Sequence, residues 1–270
     1  TYQALTGQTS CDDADAGYYV DQTGQSIQTP CTTGTYNPSN ASTSSSACTD
    51  ADAGYYVGQT AQTTQDPCPI GTYQSLTGQS SCNDASAGHY VNQTAQVAQI
   101  PCQAGYFQAL TGQSSCDEAL DGYYVSQTGQ SIQTPCAMGT YQPLTGQTSC
   151  NNADVGHYVS QTPSASQNPC LSGTYQPLTG QSSCNDADAG YYVDQTAQVA
   201  QVPCATGTYQ PLTGQSSCSD ADAGYYVDQT AQISQTPCGL GTYNPNTAST
   251  VSSDCNDADA GSYVGLTAQS

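Results

Sequence analysis

Residues 174–207 read TYQPLTGQSSCNDADAGYYVDQTAQVAQVPCATG, and neighbouring copies of this stretch open at Thr140 and Thr208. This 34-residue repeat recurs about eight times, so self-similarity is the first fact to explain. Two copies carry three extra residues, before Cys48 and before Cys255. A finer period lies inside. Gly207, Tyr209, Thr213 and Gln215 return in the same order and spacing as Gly224, Tyr226, Thr230 and Gln232. The unit is therefore a 17-residue module in alternating A and B versions. An aromatic follows two residues after each module glycine, and Phe107 is the one that is not Tyr.

The alternation bears on the cysteines. In an A module one Cys stands three residues before the glycine and its mate stands at the far end of the module, as in Cys204 and Cys218. Projected one module onward into B, both positions lose their Cys: Ala221 with Gln235, Ala187 with Gln201, Ala153 with Gln167, Ala51 with Gln65. A bonded pair should appear and disappear together, because a stranded partner would be a free reactive thiol. This favours Cys31–Cys48, Cys68–Cys82, Cys102–Cys116, Cys136–Cys150, Cys170–Cys184, Cys204–Cys218 and Cys238–Cys255. Cys11 is left over, its partner lying outside the segment. The alternative pairs Cys11 with Cys31 and onward, stranding Cys255. On either scheme the array continues beyond the segment. Each short loop is worth roughly 3 kcal/mol in the chain-entropy account.

The chain has 270 residues, no Lys or Arg, 21 acidic residues and a formal net charge of -21. Nucleic-acid binding requires cationic side chains that displace counterions, and none exists. An anionic membrane surface is an unattractive partner for the same reason, and no apolar run of about 18 residues is present to span a bilayer. The hydrophobic share of 36% includes the 15 Cys and the 21 Tyr, so a conventional large core is not expected. Evenly spread cysteines without a C-x-x-C read as a disulfide framework in an oxidising, extracellular compartment rather than as metal-thiolate sites. The absence of basic residues also removes every trypsin site.

The pattern of Cys204-Ala-Thr-Gly207-Thr-Tyr209 through Ser216-Ser217-Cys218, with Cys68-Pro69-Ile70-Gly71-Thr72-Tyr73, resembles the Cys-rich ephrin-receptor-like and TNF-receptor-like repeats. Near-identical arrays of this kind also resemble those of large surface proteins of aquatic microbes. The resemblance implies small stacked extracellular modules with the first Cys of a module bonded to its second. It implies no ligand, and B modules depart from it by lacking both Cys.

The expected fold is all-β: one continuous disulfide-rich rod over residues 1–270, with each module a short hairpin. In the A module Thr208-Tyr209-Gln210 is extended, Pro211 to Gly214 turns, and Ser216-Ser217-Cys218 returns. The B turn residue is usually Ala, with Gly24 and Gly129 as exceptions, which argues against a strict demand for positive φ there. The rival architecture is a β-solenoid with one module per coil.

Asp186 and Asp188, like Asp220 and Asp222, place carboxylates at alternate positions and suggest calcium. The EF-hand spacing fails, however, and a solvated acidic turn is the plainer reading. Asn40-Ala-Ser42 and Asn92-Gln-Thr94 are N-glycosylation sequons, and the Ser/Thr-rich stretches 42–46 and 247–253 suit O-glycans. His89 and His157 replace the first Tyr of a Tyr-Tyr pair and read as exposed variation. No catalytic constellation is confined to one place, so neither enzyme activity nor a resident cofactor is expected. The expected partners are further copies of the same array and glycans. The expected function is a structural surface rod or filament, with a ligand-binding receptor or adhesin stalk as the alternative.

Overall fold

A computed structural model describes residues 1–270. It contains fourteen two-stranded antiparallel hairpins, two short 3-10 turns (Ser45–Ala47 and Ser252–Asp254) and seven disulfides. Two compact units are formed. One comprises Thr1–Leu120, Tyr124–Thr134 and Thr145–Ser149; the other comprises Asp121–Tyr123, Pro135–Leu144 and Cys150–Ser270. Both are built from the same module. The strands pair antiparallel within a module, and the one parallel contact between modules is the isolated bridge Tyr243–Gln269, which distinguishes the fold from a β-solenoid.

The hairpin starts where the sequence places it and returns slightly later. Thr208 pairs with Asp220 and Tyr209 with Ser219, so the return strand begins one residue past Cys218. The cause is Gln210, which is buried. Its Nε2 donates to the Ser217 carbonyl at 2.8 Å and its Oε1 accepts from the Leu212 amide at 3.1 Å. The side chain staples a wide loop from inside, which a tight turn would leave no room for. Both ends of the buried amide are satisfied, as burial of a polar group requires.

Within each unit, consecutive modules are joined by recurring main-chain hydrogen bonds. In the first unit the Gly71 amide donates to Val91 O at 2.8 Å, Gln74 to Gln96 O at 3.0 Å and Ala95 to Cys68 O at 2.9 Å. In the second unit Gly173 donates to Val193 O, Gln176 to Gln198 O and Ala197 to Cys170 O, at 2.7, 3.0 and 2.8 Å. Stability thus arises from each module and from its neighbours, as in other repeat arrays.

The core is thin. Apart from the first A module and the last B module, each B module buries one Ala and one Val, such as Ala187 and Val193, and each A module buries one Cys and one amide side chain, such as Cys204 and Gln210. So little apolar surface cannot hold a module alone, and the covalent link compensates. The two longer modules preserve the pattern with Asn in place of Gln. Asn37 Nδ2 reaches the Tyr18 carbonyl at 3.0 Å and Ser42 Oγ at 2.9 Å; Asn244 does the same with Tyr225 and Ser249 at 3.1 and 2.8 Å.

Two backbone positions are left-handed. The module glycine has a strongly positive φ, as at Gly173 (+86°), and a Cβ there would clash with the Gly214 carbonyl oxygen, two modules on, at 2.3 Å. The second is the turn position seven residues later, and here the sequence expectation is corrected. Ala61, Ala95, Ala197 and Ala231 adopt φ of 57–59° although they are not glycine. The residue is held there because its amide must donate to the preceding module, as Ala197 does to Cys170 O. Alanine in this region costs about 1 kcal/mol or more, and the joint tolerates it. Pro163 occupies the same position in one module, behind a cis Thr162–Pro163 peptide.

Candidate functional site

The residues with chemical potential recur with the repeat. Cys31–Cys48, Cys68–Cys82, Cys102–Cys116, Cys136–Cys150, Cys170–Cys184, Cys204–Cys218 and Cys238–Cys255 are bonded, and Cys11 is free and exposed. The first Cys of each pair is buried at the module joint, so the bridge ties that joint to the return strand.

B modules fill the same place with a hydrogen-bonded clamp that sequence reading did not find. Gln201 Oε1 accepts from the Asp188 amide at 2.6 Å, and its Nε2 donates to Asp188 Oδ2 at 2.6 Å. Gln235 holds Asp222 in the same way, at 2.6 and 2.7 Å. Gln28, Gln65 and Gln167 repeat the arrangement on Asp15, Asp52 and Asp154. Where the partner has no carboxylate, at Ser86 and Leu120, Gln99 and Gln133 keep the main-chain half. A fixed Gln at the projected Cys position was the available signal.

This clamp gives the Asp-Ala-Asp turn a structural job. Asp188 and Asp222 accept from the glutamines, while Asp186 lies over the backbone of Gly214. Asp186, Asp188, Asp220 and Asp222 all lie at the surface, and nowhere do three or more His, Cys, Asp or Glu side chains converge. The two histidines sit apart. His89 Nδ1 faces the Ala87 carbonyl at 3.4 Å and His157 Nδ1 faces Val155 O at 3.1 Å.

The two sequons have different surroundings. Asn40 is exposed, but its Oδ1 accepts from the Ala16 amide at 2.8 Å. The sequon hydroxyl of Ser42 is buried and bonded to Asn37. Asn92 and Thr94 are both exposed. Asn92 lines a cavity of about 360 Å³ together with Tyr90, Gln103, Tyr106 and Ser114. A smaller hollow of about 270 Å³ lies at the corresponding place two repeats on, beside Tyr158, Thr174 and Cys184.

No protein-family model and no curated protein matches the chain. Its seven disulfides point to an oxidising, secreted or extracellular environment, and no helix is long and apolar enough to cross a membrane.

Proposed function

We propose that the chain is a structural segment of an extracellular surface protein, in which near-identical modules extend a stalk or filament and carry glycans on its surface. The observation that supports this reading is the sameness of the joints. The joints repeat the same main-chain bonds, with Pro163 interrupting one of them, and the internal modules are closed by a bridge or by a glutamine that holds the turn. Such a design propagates by copy number and offers many copies of one surface rather than one oriented site. The resemblance to Cys-rich receptor-like repeats is in keeping with a secreted stacked array.

The absence of Lys and Arg gives every face the same sign of charge, which disfavours random association between arrays. Specific lateral assembly would have to overcome that repulsion, through glycans or divalent cations. Electron microscopy of native, unreduced material tests the reading. Long thin fibres whose axial spacing matches one A–B module pair support it. Isolated short particles, or a ligand bound at a saturating, defined stoichiometry, would move the assignment to a receptor or adhesin ectodomain.

A further inference from the structure

The array is so uniform that its departures are informative, and two of them meet in one groove. Position 92 is the first. The corresponding residues in the other B modules are Asp21, Gly58, Ser126, Ser160, Asp194 and Asp228, each followed by Gln-Thr, and Gly265, followed by Leu-Thr. Only Asn92 completes a sequon there. Position 106 is the second. The corresponding residues of the other A modules are Thr1, Thr35, Thr72, Thr140, Thr174, Thr208 and Thr242, and only here is it Tyr.

Asn92 and Tyr106 belong to consecutive modules, yet they line the same cavity, with Tyr90 as a second ring. Tyr90 and Asn92 flank Val91, which is buried, so alternation in the extended segment sends both side chains outward together. A third departure fixes the ring: Tyr106 donates its hydroxyl to Glu118 Oε1 at 3.2 Å, and Glu118 is the only Glu in the chain.

We propose that this groove seats the first sugar of an N-linked glycan carried on Asn92. The inference rests on the glycosylated reading above and adds a specific resting place. A pyranose presents a face of slightly positive C–H groups, and an aromatic face carries the negative part of its quadrupole, so the two stack. Gln103 and Ser114 in the lining supply partners for hydroxyl and amide groups of the sugar. The attachment residue Asn92 is itself part of the groove's lining. The glycan would thereby bridge the Gly88 and Gly105 modules.

The test expresses the chain in a secretory host that adds N-linked glycans, and compares three proteins. The first is the parent. The second is Tyr106→Thr, which restores the residue that the other A modules carry and so preserves the fold. The third is Asp194→Asn, which makes a sequon of the same register whose facing residue is Thr208. Occupancy is read by mass spectrometry, and the rate of enzymatic glycan release from the native proteins is then measured site by site. The expected result is release from Asn92 in the parent about 2- to 12-fold slower than from the Asp194→Asn site, one aromatic contact's worth. Tyr106→Thr should abolish the difference. Full occupancy with equal release rates in all three overturns the seat and leaves glycosylation standing. An unoccupied Asn92 overturns both.

Discussion

Grafting a disulfide onto a B module tests whether the glutamine clamp and the bridge are two solutions to one problem. The variant is Ala187→Cys with Gln201→Cys. These positions correspond to Cys170 and Cys184, whose Cα atoms lie 5.8 Å apart in the same hairpin geometry. Ala187 is fully buried where the A modules bury a Cys, so the pocket already suits the side chain. Closing a loop of this length is worth about 3 kcal/mol in the chain-entropy account. The change removes two hydrogen bonds, from the Asp188 amide and to Asp188 Oδ2. Both are exposed and worth about 1 kcal/mol each. The net gain over the parent is therefore about 1 kcal/mol. The gain over Ala187→Ser with Gln201→Ser, which loses the clamp without gaining a bridge, is about 3 kcal/mol. The assay is urea denaturation of the unreduced proteins, with free thiols titrated in denaturant. Parent and variant should each show the single thiol of Cys11. Persistence of both new thiols, or stability no greater than that of the serine pair, would refute the equivalence.

Further expectations concern the backbone and the sequons. Ala197→Gly should stabilise by about 0.5–1 kcal/mol, because relief of a left-handed alanine exceeds the entropy that glycine adds to the unfolded chain; denaturation midpoints check it. Gly173→Ala should destabilise by at least about 2 kcal/mol, since the new Cβ meets a main-chain carbonyl two modules away rather than a side chain that can yield; near-parental stability would contradict the packing described. Occupancy at Asn40 should rise when Cys31 and Cys48 are both changed to Ser, because closure of that module buries the Ser42 hydroxyl, whereas occupancy at Asn92 should stay constant; glycopeptide mass spectrometry reads both sites.

Much of the fold is legible from the period alone. The spacing of the glycines marks the module, the joint loss of Cys in B separates bridged from unbridged hairpins, and the aromatic two residues after the glycine marks the outgoing strand. What the period hides is side-chain bonding to the main chain. Gln210 looks like one of many polar residues, yet its amide props the loop open and moves the return strand to Ser219–Asp220. The clamp escapes a position-for-position projection because the partner of Gln201 is Asp188, one residue beyond Ala187, which stands where the partner Cys would be. Ala at the turn position argues for ordinary φ on local grounds, but the inter-module bond from Ala197 overrides that preference. The groove at Asn92 is invisible for another reason. Asn92 and Tyr106 meet only because consecutive modules stack.

Disulfide mapping of the unreduced chain tests the modular account most directly, and the sequence makes it clean. Every interval between successive predicted pairs contains Asp. The intervals inside Cys31–Cys48, Cys68–Cys82, Cys102–Cys116, Cys136–Cys150, Cys170–Cys184 and Cys204–Cys218 contain none. Cleavage before Asp should therefore leave each of these pairs on a single peptide that gains two hydrogens on reduction and does not fall apart. Cys238 and Cys255 should emerge as two linked peptides, because Asp254 precedes Cys255. Any other peptides joined across Asp, such as one linking Cys184 to Cys204, would contradict the account.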